Sequence, residues 1–251
     1  MQPYLMVSLI PARGCSERIP RKNIRMMAGK PMLAWSIEAS LQSKYISRTF
    51  VSTEDAEVKA VALQYGAEVI DRPQKYATDT GNFLDANAGP ELYGVSQQFR
   101  EILWSEMKIN PYYLVWLYPT SPLRTAEQID QAYELMIERN CQRAMSVYKI
   151  PPWIYETRFS INKQGRAERV FQWSQKELYL QSLGIDFREP EYIGTADIFI
   201  IPFKEGIPFS YANYSDMSLY ELNKDDVVDV NTEHDFEMAE MILKRRKLDN
   251  K

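Results

Sequence analysis

Short apolar runs alternate with stretches of helical periodicity from residue 4 to residue 148, and this alternation leaves the chain few architectures to choose from. Runs at 4–10, 48–52, 67–70, 112–117 and 144–148 read as strands, and 32–41, 55–65, 85–107 and 125–138 read as helices between them. A β-α-β-α rhythm implies strands that return in one direction by way of helices. The expected fold class is therefore α/β, a Rossmann-like, mostly parallel sheet with helices on both faces. Ligands of such sheets bind outside the carboxyl ends of the strands, so chemistry is sought in the loops that follow them.

The rhythm breaks over 149–194, which holds Pro151-Pro152, a hairpin signal at Gln164-Gly165 and the aromatics Trp153, Tyr155, Phe159, Phe171 and Trp173. An aromatic-rich insertion is expected to be a small subdomain that pairs two copies of the chain; capping of the sheet's own core is the plainer alternative. Strands are expected again at 196–201 and 227–230, and a last helix at 233–244.

With 251 residues, of which 45% are apolar and 25% charged, the chain suits one domain over 1–251 that carries this insertion. A net charge of −4 argues against nucleic acid as the main partner. Two distant cysteines, Cys15 and Cys141, fit a reducing cytoplasm and give no disulfide framework. One histidine, His234, leaves little room for a histidine-built metal centre or a Ser-His-Asp triad. Residues 1–10 are too short for a signal peptide, and no apolar run is long enough to span a membrane. The basic run Lys244-Arg245-Arg246-Lys247 reads as the solvated end of a helix rather than as a nuclear address.

The loop after the first strand is the chemical centre of the sequence. It runs Pro11-Ala12-Arg13-Gly14-Cys15-Ser16-Glu17-Arg18-Ile19-Pro20-Arg21-Lys22-Asn23. Gly14 permits close backbone approach, and successive amides there can form a nest for an anion. Arg13, Arg18, Arg21 and Lys22 put four cations into an otherwise acidic chain. The loop is neither a Walker loop nor a dinucleotide turn, yet it has the makings of a phosphate grip.

The order of blocks extends this reading. Ile10-Pro11-Ala12-Arg13-Gly14-x-Ser16 is followed by Ile19-Pro20-Arg21-Lys22-Asn23, Gly29-Lys30-Pro31 and Val51-Ser52-Thr53. Tyr65-Gly66-Ala67-Glu68-Val69, Arg72-Pro73, Thr78-Asp79-Thr80, Pro119-Thr120-Ser121-Pro122-Leu123-Arg124 and Asp229-Val230-Asn231-Thr232-Glu233 continue it. Together they resemble the acylneuraminate cytidylyltransferases (CMP-sialic acid synthetases), including the CMP-legionaminate and CMP-pseudaminate types, over most of the chain. The resemblance implies a fold of the nucleotide-diphospho-sugar transferase type and a dimer made through 149–194. It implies CTP and a nonulosonic sugar acid as substrates, pyrophosphate as product, and Mg2+ or Mn2+ as cofactor. Arg13, Lys22 and Asp229 would then be catalytic. Ala12, Arg13, Gly14, Ser16, Lys22, Asn23, Arg72 and Thr80 would bind the nucleotide, and Tyr118, Thr120 and Ser121 the sugar. Asp229 and Asn231 would sit at the metal, while Arg124 would anchor its loop.

Three departures from the pattern bear on activity. Glu17 stands where the family has lysine; at about 6 Å a carboxylate costs a phosphate charge roughly 0.7 kcal/mol in water and about 3 kcal/mol at an effective dielectric of 20. Asn231 replaces the second of two aspartates and brings no charge to a cation, and Tyr118 replaces a glutamine near the sugar. No single arginine stands out for the sugar carboxylate among Arg158, Arg166, Arg169 and Arg188. A non-catalytic nucleotide-sugar-binding homologue and a transferase for another nucleotide or sugar are the competing readings.

Overall fold

The computed structural model describes residues 5–16, 18–77, 90–150, 159–161, 166–169, 190–204 and 216–249. The first strand, β1 (Met6–Pro11), leads through the polar loop and a turn of 3-10 helix, Lys22–Ile24, to a small ribbon of β2 (Met26–Met27) and β3 (Lys30–Pro31). Helix α1 (Met32–Leu41), β4 (Ile46–Thr53), α2 (Ala56–Gln64) and β5 (Glu68–Asp71) follow in strict alternation. Helix α3 (Pro90–Glu101) ends in a π-helical turn, Ile102–Glu106, before β6 (Tyr113–Trp116), α4 (Ala126–Glu138) and β7 (Arg143–Lys149). The last elements are the hairpin strands β8 (Phe159–Ile161) and β9 (Ala167–Arg169), then β10 (Tyr192–Pro202), β11 (Met217–Glu221) and α5 (Glu233–Asp249).

Seven strands form one sheet in the order β11-β7-β10-β6-β1-β4-β5. β1 runs parallel to β4 and β6, β4 to β5, and β11 to β7, whereas β10 lies antiparallel between β6 and β7. The expected mostly parallel α/β sheet is thus present, with one reversed strand at its middle. Because side chains alternate along a strand, each strand feeds two cores. Met6, Ile10, Val51, Val115 and Ile200 pack against Leu33 and Ile37 of α1 and against α2 and α4. Val7, Leu9, Phe50, Trp116 and Phe199 pack on the other face against Val95 and Phe99 of α3. A third cluster joins Ile19 of the loop to Val228, Val230 and Phe236, and so fastens the loop to α5.

Local sequence explains where the helices start. Asp55 caps α2 by accepting the amides of Glu57 and Val58, and Thr125 with Gln128 closes a capping box on α4. Thr232 and Asp235 make the same reciprocal bonds at the start of α5. The expected strand at 227–230 is not a strand. Its burial does alternate, Val228 and Val230 buried and Asp229 exposed, but the Val230 amide donates to the Thr120 carbonyl instead of to a ladder. The edge strand is β11, ten residues earlier in the chain, which the alternation did not reveal. Expected residues 85–89 of the third helix, and the turn at 164–165 between the paired strands β8 and β9, lie outside the described residues. Among the described residues no helix is long and apolar enough to cross a membrane.

Candidate active site

The loop after β1 is built against the end of β4. The Ala12 amide donates to the Ser52 carbonyl at 2.9 Å, extending the β1–β4 pairing by one bond. Arg72, which follows β5, donates to the same carbonyl at 2.5 Å and to the Ser52 hydroxyl at 3.2 Å. Glu54 accepts the Gly14 amide at 2.7 Å, and its second, buried oxygen, without a hydrogen-bond partner among the described residues, lies 4.0 Å from Arg72. Asn23 donates to the Arg13 carbonyl at 2.8 Å and keeps a buried side-chain oxygen without a partner among the described residues. Ala12, Arg13, Gly14, Asn23 and Arg72 therefore surround one polar recess at the carboxyl ends of β1 and β4, with Ser16 half-buried farther along the loop.

Burial dominates the electrostatics of that recess. Arg72 is 8% exposed, and burial pushes its guanidinium down to about 10, with Glu54 pulling up and Arg13 pushing down further. It stays a cation at neutral pH. An Arg13 charge close enough to be felt by Arg72 means two cations converge where an anion would rest. Orphaned acceptors on Asn23 and Glu54 face the same region, and buried polar atoms of that kind need a donor from somewhere.

The rest of the loop is tied to the start of α2 through Arg21 and to the segment before α5 through Lys22 and Arg18. Arg21 adopts a left-handed backbone with φ 56° and holds Asp55 through both oxygens at 2.6 and 2.9 Å. Lys22 donates to the Val230 carbonyl at 2.7 Å, and the Arg18 guanidinium reaches the Asn231 side-chain oxygen at 3.4 Å. Since the Val230 side chain is in the core and its amide is taken by Thr120, Asp229 and Asn231 are left facing outward together. They touch: the Asn231 amide nitrogen lies 2.6 Å from an Asp229 carboxylate oxygen. The alternation expected of a strand is delivered here by an extended segment without one.

Across from these lies the turn after β6. Arg124, 4% exposed, donates to the carbonyls of Tyr118 and Asp197 and to the Ser36 hydroxyl, so it binds the turn to β10 and α1. These are the contacts of an anchor. Ser121 is buried, its hydroxyl unpartnered among the described residues, and burial raises the Tyr118 phenol, with Asp229 raising it further. Asp197 belongs to this group although the sequence reading gave it no role. It is 2% exposed, and burial raises its carboxyl against the pull of Arg124, with Asp229 adding to the rise. The pairing of β10 with β7 shifts register between Gly194 and Phe199, and the Ser146 hydroxyl fills the gap by accepting from the Ile198 amide and meeting the Thr195 hydroxyl. Such irregularities re-aim side chains beside active sites. An aspartate inside the apolar run of β10 was the available signal, because buried carboxylates need a partner.

Thr80, Glu17, Arg158 and Arg188 lie outside the described residues, as does the Arg169 side chain; Arg166 is exposed. Among the described residues no three His, Cys, Asp or Glu side chains gather as a metal cage. The Asp229 carboxylate with the amide beside it still fits Mg2+, which keeps its waters and takes one or two carboxylates plus substrate phosphates.

Residues 7–93 match the cytidylyltransferase family model. The chain is 29% identical over 242 residues to the pseudaminic acid cytidylyltransferase of Campylobacter jejuni, covering 94% of this chain and 95% of that protein. It is 27% identical over 244 residues to the CMP-N,N'-diacetyllegionaminic acid synthase of Legionella pneumophila, covering 95% and 96%. In fold it resembles a CMP:2-keto-3-deoxy-manno-octonic acid synthetase solved with CTP, with a TM-score of 0.63 at 15% identity over 96% of this chain and 99% of that one. With the matched model on the stretch that carries the loop and relatives of one kind along nearly the whole chain, the chain is similar to the cytidylyltransferases.

Proposed function

We propose that the protein transfers CMP from CTP to the anomeric hydroxyl of a nonulosonic, sialic-acid-like sugar acid. The hydroxyl oxygen bonds to the α-phosphorus while the bond from that phosphorus to the bridging oxygen of the β-phosphate breaks. Pyrophosphate leaves with the electron pair, and the hydroxyl proton is lost to base. One observation carries the reading: the cations of the loop and the Asp229 carboxylate meet through Lys22, whose ammonium lies 2.7 Å from the carbonyl of Val230, the next residue. Transfer of this kind is mostly positioning and charge stabilisation, which this arrangement supplies.

Arg13 and Lys22 take the phosphates, helped by the Gly14 and Ser16 stretch. Ala12, Asn23, Arg72 and Thr80 take the nucleoside, whose amino and hydroxyl donors suit the unpartnered oxygen of Asn23. Tyr118, Thr120 and Ser121 border the acceptor sugar. Asp229, with Asn231 beside it, would hold Mg2+ or Mn2+, which would supply neutralisation of the triphosphate charge. A different acceptor sugar is the second reading, favoured by half-buried Tyr118, which stands where the resembling enzymes have glutamine. The inserted segment 149–194 joins two copies as a dimer, a role supported by exposed Ile161 (79%) and Ile193 (40%) on its strands. Free cysteines Cys15 and Cys141 suit a cytoplasmic setting.

Pyrophosphate release with each of the four nucleoside triphosphates, Mg2+ or Mn2+, and a panel of keto-sugar acids tests the assignment. Release with CTP and a nonulosonic acid is expected. Silence in every combination would overturn it.

A further inference from the structure

Asn231 lacks the charge that a second aspartate would bring to a cation, yet its contacts are not those of a residue that has merely lost function. Its side chain lies 2.6 Å from an Asp229 oxygen, a distance at which one of the two atoms must carry a hydrogen. The carboxylate only accepts, so the amide nitrogen must face it. That fixes the amide oxygen on the opposite side, where the Arg18 guanidinium stands at 3.4 Å. The backbone is set as well, because the Asn231 and Thr232 amides both donate to Asp235 at the start of α5. An aspartate at this place would put two acceptor oxygens in contact with no proton between them, a repulsion that a bound cation, a shared proton or a side-chain rotation would have to relieve.

Resting on the function proposed above, we propose that Asn231 is a positioning residue. It relays the placement of Arg18, in the phosphate loop, to the orientation of the Asp229 carboxylate. The cation's charge partner is then Asp229, aimed before the metal arrives. Carboxylates that hold metals are commonly oriented in this way by a neighbouring donor, and loss of the donor costs about 10–100-fold in metal affinity.

The test is Mn2+ binding followed by electron paramagnetic resonance on the protein saturated with CTP, without acceptor sugar. Asn231→Ala is expected to weaken Mn2+ about tenfold. Arg18→Gln is expected to weaken it a few-fold, a sign opposite to the tightening that relief of Coulomb repulsion alone would bring. The double variant should be no worse than Asn231→Ala, since Arg18 acts through the amide. Tighter Mn2+ binding in Arg18→Gln, multiplying losses in the double variant, or unchanged binding in Asn231→Ala would each overturn the relay. Both substituted side chains are surface groups, and unchanged melting curves will show that the fold is intact. Pyrophosphate release by the unaltered protein separates the two proposals: uncoupled variants in an active enzyme sink the relay alone, and an inactive enzyme that keeps the coupling sinks the activity alone.

Discussion

At Gly14 the backbone passes so near Asp55 that a β-carbon would lie 2.2 Å from a carboxylate oxygen and 2.5 Å from both Cβ and Cγ of Asp55. Two of those atoms sit close to the main chain and cannot swing aside. Gly14→Ala is therefore expected to destabilise by about 1–3 kcal/mol, read from urea unfolding, and to raise the KM for CTP by loosening the loop. The cause is the capping aspartate of α2 as much as any phosphate. Asp55 also carries a pH dependence. The Arg21 guanidinium, with the amides of Val58 and Glu57 assisting, holds its carboxyl at about 2, below the ordinary 3.8. A depressed carboxyl contributes stability that is complete above its ordinary value and vanishes as pH falls from 3.8 toward 2. Arg21 is 38% exposed, so screening limits the contribution to about 1 kcal/mol. Asp55→Asn keeps a capping oxygen but loses the charge, and should cost about that much in urea melts at about pH 6 and nearly nothing at about pH 2.

Among the elements, the reversed strand β10 depends on one buried cation. Arg124 is pushed down to about 10 by burial, with Asp197 pulling up, and it ties β10 to the turn after β6 and to α1. Arg124→Ala would leave the Asp197 carboxylate buried without its counter-charge, a loss of about 3–5 kcal/mol measured by denaturation. Adding Asp197→Asn should recover part of it, and full additivity of the two losses would refute the pairing. The limits of sequence reading appear in the same strand. Its existence was legible from the run of apolar residues, but its direction was not, because a strand's local pattern is the same either way. β11 was missed because its five residues, most of them half-buried at a sheet edge, show no clean alternation. Residues 227–230 read as a strand because alternation reports which side chains face the core, and their backbone partners turn out to be a turn carbonyl and a lysine rather than a neighbouring strand.

Over the whole molecule, the recess at β1 and β4 and the carboxylates near β6, β10 and α5 are separate in sequence and joined in space by the loop after β1. Residues within that loop were legible because chemistry and spacing are local there. Glu54 and Asp197 were not, since their roles exist only once β4 and β10 are laid beside β1 and β6. The joining contacts are Lys22 on Val230 and Ile19 in the cluster with Val228 and Phe236. A ligand that engages Arg13, Lys22 and Asp229 together stabilises the folded chain by mass action, about 2.7 kcal/mol at a concentration 100 times its Kd. For a chain of 251 residues that corresponds to a rise in Tm of roughly 5–10 °C. CTP with Mg2+ should produce this shift by calorimetry. Lys22→Ala should remove most of it, because it deletes both a phosphate cation and the bond that holds the 229–231 segment in place. Asp229→Asn should keep the CTP-dependent part while losing the increment that Mg2+ adds. Equal Mg2+ increments in the unaltered protein and in Asp229→Asn would place the cation elsewhere.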